Sequence, residues 1–199
     1  DRKDAAVVGF SKNNSALYTP FYAVTSGNWN SVIACETLVN EMYNTKKGLA
    51  DPRYYYYFTK PLGAPTQLFK SNLDAFLAKN VSAAGNSKVG RYPNGNSGQI
   101  GNLKNADHYA LMNYSELLFI FAEAGQRGWL NISYPVVKKI YLEAVTESAL
   151  EWNTTESAGS EDMTKFIGIM SDEIEADNAL EKILTQKWVS MFWVGIESW

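Results

Sequence analysis

Residues 114–152 contain two helical patterns joined by so little chain that the second has to fold back on the first. In "YSELLFIFAEAGQR", Leu117, Leu118, Phe121, Ala122 and Gly125 recur at helical spacing, and Gly128 follows as a C-terminal cap. The second stretch, "SYPVVKKIYLEAVTESALEW", opens with Ser133 near an N-cap and Pro135 in the first turn. Its Val137, Ile140, Tyr141, Ala144, Val145, Ser148 and Trp152 share a face, with Glu143, Glu147 and Glu151 on an opposite, solvated one. A link of about five residues predicts an antiparallel αα-hairpin, and Ala122, Ala124 and Gly125 permit close approach. Such hairpins are the units of tetratricopeptide-like arrays, although no second copy recurs at a fixed period.

Around this hairpin the chain reads as mostly α. "WNSVIACETLVNEMYN" puts Val32, Cys35, Val39, Met42 and Tyr43 on one helical face, which predicts a helix over 29–44 with Cys35 in its core. Gly48 and Asp51-Pro52 then turn the chain, and the β-prone run Tyr54 to Thr59 predicts a short strand or hairpin near 54–60. Residues 80–106 are dense in Gly, Asn and Ser, a long irregular loop of the kind that carries function. An acidic link over 153–177 predicts a short helix around Phe166 to Met170. A last helix follows, in which Asn178 and Glu181 have capping-box spacing and Leu180, Ile183, Leu184, Trp188 and Met191 face inward. The expected organisation is one domain over 1–199, with a loop-rich insert at about 51–107 and a helical part at about 108–199.

Composition removes several function classes. With 199 residues, 46% of them hydrophobic, the chain can bury a core. A net charge of −3 and scattered Lys and Arg, apart from Lys46-Lys47 and Lys138-Lys139, argue against nucleic acid as a partner. The single cysteine, Cys35, excludes an internal disulfide and a cysteine-based zinc site. Glu116, Glu123 and Arg127 interrupt the one run that approaches the roughly 18 to 20 apolar residues of a membrane-spanning helix. The opening "DRKDAAVVGF" and the apolar ending "VSMFWVGIESW" lead to the expectation that a longer protein contains this chain.

Catalytic patterns are weak. Glu116 and Glu123 lie two helical turns apart, about 10.5 Å along the axis, beyond the carboxylate spacings of glycoside hydrolases. Glu123 precedes Arg127 by four residues, the favourable order for a helix ion pair, so the expectation is architecture. His108, the only histidine, reads as a loop residue in "NADHYA", and G-x-S-x-G, P-loop, dinucleotide and EF-hand patterns are missing. No catalytic residue, metal ligand or cofactor is therefore expected. Aromatic residues are plentiful, with 12 Tyr and 6 Trp, and aromatic faces stack on the C–H faces of sugar rings while amides satisfy the hydroxyls. Trp29 with Asn28 and Asn30, and Arg91, Tyr92 and Asn94 in "RYPNGN", are the candidate ligand-binding residues.

In order along the chain, "DPR" before an aromatic segment, the "RYPNG" loop, "YALMNYSELLFIFAEAGQRGWL", a helix with Tyr, and "ILTQKWVSMFWVGIESW" resemble the SusD/RagB family of outer-membrane nutrient-binding lipoproteins. The similarity is greatest to the branch with a Gln-Lys-Trp signature, here Gln186 to Trp188, and it spans most of residues 51–199. It implies a tetratricopeptide-like helical scaffold and a non-catalytic protein at the cell surface. Such a protein binds a glycan or other nutrient and hands it to a TonB-dependent, SusC-like transporter. Family members are usually more than twice this length, so the resemblance also implies that the lipid anchor is absent from this chain. It places Glu116 and Glu123 at positions of a packed helix and transfers no ligand-contacting residue.

Overall fold

A computed structural model describes residues 6–9, 36–44, 49–57, 108–152 and 161–192. The described part is mostly α. In chain order it contains β1 (Ala6–Gly9), α1 (Glu36–Met42), β2 (Tyr43–Asn44), β3 (Leu49–Ala50) and α2 (Tyr54–Tyr57). These are followed by β4 (His108–Met112), α3 (Tyr114–Gln126), α4 (Tyr134–Trp152), α5 (Glu161–Glu173) and α6 (Ala179–Ser190). The chain divides into two units, residues 9–109 and residues 1–8 with 110–199.

In the first of these units, Leu38, Val39 and Met42 bury one side of α1. The expected helix over 29–44 ends at Met42, because Tyr43 and Asn44 pair antiparallel with Ala50 and Leu49. Cys35 and the segment before it lie outside the described residues. Asp51 N–H continues the hairpin by donating to Met42 O at 2.8 Å.

The strand expected from Tyr54 is instead the helical turn α2. Asp51 Oδ1 accepts from Arg53 N–H at 2.9 Å, and Asp51 O accepts from Tyr54 N–H at 2.9 Å, so the "DPR" turn curls the chain before tyrosine propensity can act. Tyr54 and Tyr57 are buried, which a single helical turn achieves and an exposed strand would not. Arg53, fully buried, donates through Nε and Nη2 to the carboxylate of Asp51, at 3.0 and 2.5 Å for the shorter contact of each.

The other unit holds most of β1 and β4, which form a two-stranded sheet. His108 opens β4 instead of lying in a loop, because the backbone of this segment pairs with β1. Helices α3 and α4 form the expected hairpin. Gly125 approaches Val137, Phe119 meets the Tyr141 ring edge-on at 6.4 Å, and Ser115 N–H reaches Glu151 Oε1 at 3.4 Å. These pairs run in opposite chain directions, which makes the packing antiparallel. A Cβ on Gly125 would sit 2.5 Å from Ile132 Cδ1 and 2.9 Å from Val137 Cγ2, so glycine is what allows the seam to close.

The buried face of α3 is Ser115, Leu118, Phe119, Ala122 and Gly125, rotated from the expected one: Leu117 and Phe121 are exposed. A helix apolar on several sides offers more apolar positions than one neighbour can cover, and the stripe that holds Gly125, where α4 approaches closely, goes inside. The α4 face matches at Val137, Tyr141, Ala144, Val145 and Ser148 and adds Ala149. Of the glutamates opposite, only Glu143 is exposed; Glu147 and Glu151 are half-buried. Asn113, the N-cap of α3, makes no side-chain cap, and Glu151 from α4 supplies the acceptor there.

Helix α5 spans thirteen residues, longer than the expected short helix, with Met163 and Phe166 buried. Asn178 is the N-cap of α6, but the capping box does not form. Its Oδ1 accepts from Glu175 N–H at 2.9 Å and its Nδ2 donates to Glu173 O at 3.0 Å, so it ties off the end of α5. On α6 the buried residues are Ala179, Ile183, Gln186, Val189 and Ser190, with Met191 just beyond, whereas Leu184 and Trp188 are exposed and Leu180 is half-buried.

Candidate functional site

The C-terminal end of α3 is where the chain's two most distinctive motifs meet. Gly128, at φ 74°, takes the left-handed conformation that glycine favours and stops the helix as expected. Its N–H donates to Gly125 O at 3.0 Å and the Trp129 N–H donates to Ala124 O at 2.9 Å, the paired bonds of a Schellman turn. The backbone of Trp129 is thereby held, while its side chain is left outside: at 73% exposure it is the most exposed large hydrophobic residue described.

The expected Glu123–Arg127 pair is present, with Arg127 Nε donating to Glu123 Oε1 at 2.8 Å. A second cation completes it. Lys187, the middle residue of Gln186-Lys187-Trp188 on α6, donates from Nζ to Glu123 Oε2 at 3.3 Å. Burial pushes the Glu123 carboxyl up, but the hydrogen bonds and charges of Arg127 and Lys187 outweigh it and hold the group below its ordinary value. Arg127 in turn lies over the Trp129 ring, 5.4 Å from its centroid. A continuous chain of contacts, Lys187 to Glu123 to Arg127 to Trp129, thus runs from α6 to the hairpin tip. Gln126 Nε2 adds a bond to Ala176 O at 2.9 Å, joining the same tip to the middle of the α5–α6 turn.

Chemically, this arrangement orients groups and does not prime them for proton transfer. A glycosidase acid needs a raised pKa, and Glu123 is displaced the other way. Among the described residues no group of three or more His, Cys, Asp or Glu side chains gathers as a metal site, and no helix is long and apolar enough to cross a membrane.

The binding residues expected from sequence, Asn28, Trp29, Asn30, Arg91, Tyr92 and Asn94, lie outside the described residues, as does the 80–106 loop. Lys187 as a partner of Glu123 escaped the sequence reading, because 64 residues separate them and only tertiary packing joins them. Trp129 escaped it too, although the signal was there: an aromatic residue just after a helix-ending glycine and outside either helical stripe.

The mostly α architecture is that of the SusD-like fold. A crystal structure of a SusD homolog from Bacteroides fragilis NCTC 9343 superposes with a TM-score of 0.64 at 18% identity, over 96% of this chain and 42% of that one. The chain thus spans less than half the length of this neighbour. Over residues 1–199 it matches the SusD-like family described as "Starch-binding associating with outer membrane", and it belongs to that family. No curated protein matches it.

Proposed function

We propose that this chain is part of a cell-surface protein that binds a glycan at the outer membrane and passes it to a TonB-dependent, SusC-like transporter, without performing chemistry itself. The observation that carries the reading is the family match over residues 1–199, whose description joins starch binding to the outer membrane. The state of Glu123 supports a non-catalytic role, since a carboxylate shared between Arg127 and Lys187 is engaged in holding α3 to α6. In this reading the protein needs no cofactor, and it reaches the membrane through a lipid anchor. Asn28, Trp29, Asn30, Arg91, Tyr92 and Asn94 remain proposed ligand contacts, on the stacking chemistry of their aromatic rings and the hydrogen bonding of their polar groups.

The test is affinity electrophoresis and calorimetry of the complete protein against starch and a panel of plant and host polysaccharides. Saturable binding to at least one polysaccharide is expected. Silence across the panel would overturn the glycan reading and leave a protein-facing helical module. Hydrolysis of any panel member, lost in Glu123→Gln, would overturn the non-catalytic part.

A further inference from the structure

We draw no further inference here: the strongest candidate, the exposed apolar surface of α3 and α6, with Leu117 and Phe121 on one helix and Leu184 and Trp188 on the other, carries nothing, because nothing in the structure shows what covers it.

Discussion

The two units of this chain manage their charges in opposite ways. Around α2, Arg53 and Asp51 are both buried and meet only two residues apart, so the pair is a local clamp that shapes a turn. At the end of α3, Glu123, Arg127 and Lys187 are partly exposed and lie up to 64 residues apart, at the rim of a seam whose interior is apolar. In the first case the charges are within the core and the structure depends on satisfying them. In the second, packing between Phe119, Tyr141, Val137 and Gly125 sets the structure, and the charges align what is already packed.

That contrast predicts unequal responses to mutation, the largest at Arg53. Arg53→Ala leaves the Asp51 carboxylate buried without its cation and should destabilise the protein by about 3–5 kcal/mol in denaturant unfolding. The paired replacement of Asp51→Leu with Arg53→Met removes both charges and should cost much less than the single change. If the double variant is as unstable as the single one, the capping role of Asp51 outweighs the charge balance, and the clamp is a matter of backbone geometry.

The apolar seam should respond next. Gly125→Ala pushes a Cβ against Ile132 and Val137, an overpacking of about 1–3 kcal/mol, offset by about 1 kcal/mol of helix propensity. A net loss of about 1 kcal/mol is expected in thermal or denaturant unfolding, and Gly125→Val should lose more. A stabilised Gly125→Ala would show that Ile132, whose terminal methyl makes the closest contact, gives way freely, and that the hairpin closes for reasons other than its glycine.

The same contrast explains what could be read from the sequence. The hairpin was legible because its information is local: helical spacing, Gly128, Ser133 and Pro135 lie within the elements they define. Which apolar stripe is buried was not, since α3 is apolar on several sides and the choice between Leu117 and Phe119 depends on Tyr141, on another helix. The expectation of a strand at Tyr54 weighs tyrosine propensity above the Asp51 side chain, which accepts from Arg53 N–H and starts a helical turn just after the expected Asp51-Pro52 turn. Asn178 was misread because capping-box spacing does not say which helix an asparagine serves. Of the site, the Glu123–Arg127 pair was legible from its spacing of four, while Lys187 needed α6 to be folded against α3.

The smallest effect belongs to the rim charges, and it is separable by pH. Partly exposed ion pairs contribute at most about 1 kcal/mol each, so Glu123→Gln should lose about that amount near neutrality. Arg127 and Lys187 hold the folded-state pKa of Glu123 below its ordinary value of 4.5, so the unfolded state takes up its proton first as pH falls. The stabilisation is therefore present in full above that ordinary value and disappears as pH drops through the lower folded one. Measured by denaturant unfolding from neutral pH down to about pH 3, the stability gap between wild type and Glu123→Gln should hold level and then narrow below the ordinary glutamate value. A gap that keeps its size in acid would mean that the glutamine disturbs packing at the α3–α6 contact, and that the rim, like the buried clamp around Arg53, is part of what sets the structure.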